Sequence, residues 1–179
     1  MKVFILAGVG DHTGYIKRKT RDWESKYGLV PIPLKFGWRG DYASNYKKLH
    51  DFVVQNSDGD EVALVGISAG ASAALRLASE LKNASCVVTI CGRTSHGGFK
   101  LWRFKRYHAY KKSVDHLSSS NPNQSVLVIK PLFDEVVSTS HMDTRGAKVL
   151  RVKYILHIPS ILMILAKKSD KIADFINRA

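Results

Sequence analysis

Apolar positions in this chain gather into short continuous runs, and the segments between them carry apolar residues at helical spacing. Residues 3–7 form an unbroken apolar run ended by Gly8-Val9-Gly10, which predicts a buried strand entering a glycine loop. Residues 12–26 are polar and charged, with Tyr15, Ile16 and Trp23 at helical spacing, and Gly28 stops them. Residues 29–34 predict a second strand, placed at a sheet edge because Pro31 and Pro33 cannot donate to a ladder. Asp41 suits the cap of a helix through Tyr42, Tyr46, Leu49, Phe52 and Val53, and residues 56–60 read as a turn. Another run, 61–65, apolar after Glu61, leads into Gly66-Ile67-Ser68-Ala69-Gly70 and then an alanine-rich helical segment, 71–78. Residues 86–91, 125–130 and 148–155 predict three further strands, the last alternating in polarity as a terminal strand does. Helical segments from about Pro159 to Asn177, broken near Ser169-Asp170, complete the pattern.

Buried strands alternating with helical segments predict an α/β fold, a mostly parallel sheet with helices on both faces. In such a fold the loops after the strands share one rim of the sheet. At 179 residues, 45% of them hydrophobic, the chain suits one domain spanning 1–179. No linker-like tract or internal repeat divides it. Cys86 and Cys91 flank one predicted strand with side chains on opposite faces, so they are expected to be reduced, buried and unpaired. The apolar start of the chain is too short for a signal peptide, and residues 155–166, interrupted by His157 and Pro159, fall short of the ~20 needed to cross a bilayer. The expectation is a cytoplasmic protein, monomeric or a weak homodimer.

Three loops at the shared rim carry candidate chemistry. Ser68 stands between glycines at a strand-to-helix junction, the layout of a nucleophile elbow, in which a sharp turn lifts a hydroxyl above the sheet. Asp134 follows the strand at 125–130, with Glu135 beside it as an adjacent acid, and His157 follows the strand at 148–155. His141 is a poorer base than His157, because it lies in the helix expected after the acid loop. No metal-ligand spacing appears, and Thr13 stands where a dinucleotide-binding turn needs its third glycine. No metal or cofactor is expected.

The order serine, acid, histidine, with an elbow and both partners in later loops, resembles the α/β-hydrolase superfamily over nearly the whole chain. Since the chain begins at the strand leading into the glycine loop, the resemblance implies a minimal version of the fold, with about six strands. It implies that Ser68 is the nucleophile, His157 the general base and Asp134 the carboxylate fixing its tautomer. Ala69 and Val9 would supply the two amides of an oxyanion hole, and His12 and Gly10 would line the pocket. A small-molecule ester is the implied substrate and carboxylesterase the implied activity, proceeding through an acyl-enzyme.

Charge adds a second theme. The formal net charge is +13, and residues 81–114 contain no acid but eight Lys and Arg interleaved with Phe99, Trp102, Phe104, Tyr107 and Tyr110. This basic aromatic stretch, at about 93–118, falls where a cap over the site is expected and would favour an anionic substrate. A solvated helix whose aromatics pack onto the body is the leading reading beside that one, and contact of residues 93–112 with nucleic acid or an anionic membrane is a third. On that last reading the chain would be a non-catalytic binding protein on the same fold.

Overall fold

The strands predicted above assemble into one six-stranded sheet, seen in a computed structural model that describes residues 1–95, 106–119, 123–144 and 146–179. The strands are β1 (Lys2–Leu6), β2 (Val30–Leu34), β3 (Val62–Ile67), β4 (Ala84–Ile90), β5 (Ser125–Phe133) and β6 (Lys148–Ile155). Their order is β2-β1-β3-β4-β5-β6, and all five pairings are parallel. The fold is that of the α/β hydrolases. β2 lies at an edge, where Pro31 and Pro33 cost no central ladder bond.

The helices are α1 (Thr13–Thr20), α2 (Trp23–Tyr27), α3 (Tyr42–Ser57), α4 (Gly70–Glu80), α5 (His108–Asp115), α6 (His157–Lys167) and α7 (Ser169–Ile176). Contacts join α3, α4 and α5 in one group and α1, α6 and α7 in another. Right-handed crossovers place α1 on one face and α3, α4 and α5 on the other, because the chain steps one way from β1 to β2 and the other way from β2 onward. β1, β3 and β4 are buried between them, as their continuous apolar runs require. The step reverses between β1 and β3, which are neighbours with Leu6 opposite Gly66. In open α/β sheets a crevice forms at such a reversal, beyond the carboxyl ends of the strands. The glycine loop and Ser68 stand on its two sides.

Local signals account for two helix ends. Asp41 caps α3, its Oδ2 accepting from Ser44 N at 2.8 Å, and Gly28 ends α2 at φ 69°. Three boundaries differ from the sequence expectation. The segment at 12–26 is two helices, because the chain breaks at Arg21-Asp22. His157 is the first residue of α6 rather than a loop residue, and Leu156 before it makes the turn at φ 71°. His141 ends a single 3-10 turn, Thr139–His141, instead of lying in a helix.

Candidate active site

The turn at Ser68 depends on backbones approaching more closely than side chains allow. A Cβ on Gly66 would stand 2.4 Å from Ala71 Cα, so β3 and α4 meet at this distance only with glycine there. Ser68 itself takes φ 54°, a left-handed conformation that costs a non-glycine residue about 1–2 kcal/mol. Two backbone bonds hold it: Ser68 N donates to Ile90 O at 2.9 Å, and Ala71 N donates to Ser68 O at 3.1 Å. The hydroxyl is thereby lifted into the crevice while the residue stays 9% exposed.

Asp134 sits where β5 ends. Its Oδ1 accepts from Val136 N and Val137 N, each at 2.8 Å, a side-chain turn that fixes the carboxylate and leaves Oδ2 available. His157 Nδ1 donates to that Oδ2 at 2.7 Å, and His157 Nε2 lies 2.8 Å from Ser68 Oγ. With Nδ1 carrying the proton, Nε2 is an acceptor aimed at the serine hydroxyl. Both His157 and Asp134 are buried, so bulk water does not compete for these contacts. The three residues, far apart in the chain, form one hydrogen-bonded line at the rim.

Glu135 makes a different contact. Its Oε2 accepts from His157 N at 2.8 Å, satisfying an amide at the start of α6 that has no partner within the helix. Two consecutive acids therefore hold His157, one by its ring and one by its backbone.

Across the crevice, Gly8 lies against Ser68: a Cβ there would be 3.0 Å from Ser68 Cβ and 3.5 Å from its Oγ. Val9 and Ala69 follow Gly8 and Ser68 directly. Among the described residues, no acceptor takes the amide of Val9 or of Ala69. Two unengaged donors next to a serine hydroxyl can stabilise a negative oxygen. The loop is kept in place by Asp11, whose carboxylate accepts from Phe36 N at 2.9 Å and Gly37 N at 3.1 Å, and by Trp38 Nε1, which donates to Ala7 O at 3.1 Å.

A cavity of about 590 Å³ opens beside Ser68. His12 and Tyr15 line it together with Ile158, Ile161, Leu162 and Leu165 of α6. Gly10 is not among the lining residues; it packs under the His12 ring, where a Cβ would come within 2.3 Å of Nε2. The cavity is walled by α1 and α6, which sequence reasoning did not foresee. The signal was there in the i, i+3, i+4, i+7 spacing of Ile158, Ile161, Leu162 and Leu165, but it is the same spacing that buries any helix in a core.

Of the proposed basic cap, residues 96–105 lie outside the described residues, and Lys100, Trp102 and Arg103 with them. Its described helix, α5, packs against α3 and α4 and brings Tyr110 to the cavity. Burial pushes the Tyr110 phenol up to about 12, although the neighbouring Arg93 guanidinium opposes the shift. Tyr110 is therefore a neutral group at the cavity wall. Cys91, also at this rim, has its thiol pushed up by burial and then by the charges of Asp134 and Glu135.

Known proteins share this architecture. A family model described as BAAT / Acyl-CoA thioester hydrolase C terminal matches residues 44–154. An α/β-superfamily protein from Xanthomonas campestris pv. campestris superposes with a TM-score of 0.73 at 13% identity, covering 99% of each chain. An esterase of Pyrococcus furiosus does so at 0.70 and 15% identity, over 99% of this chain and 82% of that one. A monoacylglycerol lipase of Paleococcus ferrophilus gives 0.68 at 11% identity, over 99% and 92%. No curated protein matches the sequence.

Proposed function

Because the chain belongs to the family described as BAAT / Acyl-CoA thioester hydrolase C terminal, we propose that it is a serine hydrolase of esters or thioesters with an apolar acyl group. The observation that carries the reading is the line Ser68 Oγ, His157 Nε2, His157 Nδ1, Asp134 Oδ2, with contacts of 2.8 Å and 2.7 Å.

In this mechanism Ser68 Oγ attacks the acyl carbonyl as His157 Nε2 takes its proton. Asp134 holds the ring in the required tautomer and stabilises the imidazolium that forms. The carbonyl oxygen gains negative charge between the amides of Val9 and Ala69, donors of a kind worth about 2.7–4 kcal/mol each to the barrier. His157 then passes its proton to the departing alkoxide or thiolate, leaving an acyl group on Ser68. Water enters and attacks the acyl carbon as His157 Nε2 takes its proton; the bond from Ser68 Oγ to the acyl carbon then breaks as His157 returns that proton to Oγ, releasing the carboxylic acid and restoring Ser68.

The cavity supports recognition through the acyl half of the substrate. Its walls at Ile158, Ile161, Leu162 and Leu165 suit an alkyl chain, and a volume of 590 Å³ falls in the range of small-molecule sites. A panel of p-nitrophenyl esters and acyl thioesters of increasing chain length tests this reading. Activity should rise from acetyl to medium-chain acyl groups and vanish in Ser68→Ala. Narrowing the cavity with Ile161→Trp should remove activity on the longer esters while sparing acetate. Absence of hydrolysis across the panel by folded protein would overturn the reading and favour a non-catalytic binding role.

A further inference from the structure

The rim that carries Ser68 also carries an apolar surface that extends beyond the cavity. Leu132, Phe133, Ile155, Leu156, Ile158 and Leu162, between 37% and 60% exposed, lie at the ends of β5 and β6 and the start of α6. Strand pairing groups them. Phe133 and Ile155 are register partners, Leu156 N donates to Phe133 O at 3.0 Å, and an irregularity between Pro131 and Phe133 turns Leu132 outward as well. Ile158 and Leu162, one helical turn apart, belong to both the exposed surface and the cavity wall. The surface is therefore continuous with the mouth of the cavity. Exposed apolar groups collected in this way mark an interaction site.

Cations flank the surface on two sides. Across the mouth, Tyr15 Oη donates to Leu162 O at 3.3 Å, and Arg18 and Lys19 stand 5.3 Å and 5.7 Å from the Tyr15 ring centre. On β6, Arg151 and Lys153 are exposed and alternate onto the same strand face as Ile155. Of the acids at this rim, Asp134 and Glu135 are held on His157, and Asp11 on the amides of Phe36 and Gly37.

The charges distinguish between occupants. β6 is a sheet edge, but pairing with a second β6 would gather Lys148, Arg151 and Lys153 of both copies along one seam, like charges with like. An anionic lipid surface satisfies both features, since apolar side chains enter the acyl region while cations sit among the phosphates. A formal charge of +13 adds attraction at longer range.

We propose that this rim docks the protein on an anionic bilayer, with Leu132, Phe133, Ile155 and Leu156 inserted and Arg18, Arg151 and Lys153 at the phosphates. If the acyl-hydrolase reading holds, on which this consequence rests, the cavity then opens toward lipid and substrate enters from the membrane.

Flotation with vesicles separates the possibilities. The protein should float with vesicles of phosphatidylcholine and phosphatidylglycerol in equal parts, remain behind with phosphatidylcholine alone, and be released by salt. Phe133→Ser/Ile155→Ser should weaken binding about tenfold or more, as loss of two inserted apolar groups requires. Arg18→Glu/Lys153→Glu should do the same for anionic vesicles. Hydrolysis of a soluble short-chain ester should be unchanged in both variants, so failure of docking and failure of catalysis read out separately. No binding to anionic vesicles at low salt, or equal binding by the apolar variant, would overturn the proposal. So would a dimer in sedimentation that Phe133→Ser/Ile155→Ser dissolves, because the surface would then belong to a second copy.

Discussion

The carboxylate of Glu135 accepts the backbone amide of His157 at 2.8 Å, while the neighbouring Asp134 accepts from the ring of the same histidine at 2.7 Å. The base of the proposed reaction is thus held at two points by one dipeptide. Glu135→Ala should remove a helix-start contact worth about 0.5–2 kcal/mol and let the imidazole wander. Hydrolysis should fall several-fold with the fold intact. Glu135→Gln, whose amide oxygen still accepts, should recover most of the loss in steady-state kinetics.

Asp134→Asn tests the ring contact. An amide oxygen can replace Oδ1 in accepting from Val136 N and Val137 N, so the loop should survive. The NH2 group then faces His157 and selects the tautomer with its proton on Nε2, where it is useless for activating Ser68. A kcat lower by about 10⁴, with an unchanged circular dichroism spectrum, is the expected outcome.

Glycine substitutions separate folding from chemistry. Gly66→Ala places a Cβ 2.4 Å from Ala71 Cα, backbone that cannot move aside, and should cost at least about 1–3 kcal/mol in denaturant unfolding. Gly8→Ala meets Ser68 Cβ at 3.0 Å and should chiefly impair activity by displacing the serine and the Val9 amide. Gly14→Ala, with nothing within 4 Å, should leave both within experimental error or raise stability slightly.

The two thiols set an alkaline limit. Burial pushes Cys86 up to about 11, and Cys91 is pushed up by burial and nearby carboxylates. A folded-state value above the unfolded one means that the native protein holds these protons more tightly. Their contribution to stability is complete below the ordinary thiol value of 9.0 and declines as pH rises toward 11. Unfolding midpoints should fall over that window, and less steeply in Cys86→Ala/Cys91→Ala. Native protein should also resist iodoacetamide at pH 8, since buried thiols there are protonated and inaccessible.

Much of this organisation was readable from residue order. Pro31 and Pro33 marked an edge strand, Asp41 marked the cap of α3, and the strand-Ser68-helix layout marked a turn that glycine alone permits. Residues 134 and 157 were legible as rim residues because parallel strands send all their following loops to one side. The division of labour between Asp134 and Glu135 was not, since two adjacent acids in a loop differ only by where the turn points them. Nor was the source of the cavity wall. An apolar helical stripe such as that of α6 reads alike whether it packs on a sheet or borders a cavity, and only the crevice between β1 and β3 decides. The exposure of Leu132 and Phe133 followed from a local irregularity of β5 that alternation of residue types does not encode.

Covalent capture of the serine tests the central claim most directly. A fluorophosphonate probe should label the folded protein at Ser68, as located by mass spectrometry. Labelling should disappear in Ser68→Ala and fall at least about a hundredfold in rate in His157→Ala, whose general base is missing. Labelling at another residue, or labelling unaffected by His157→Ala, would contradict the account of Ser68 as a nucleophile activated by His157.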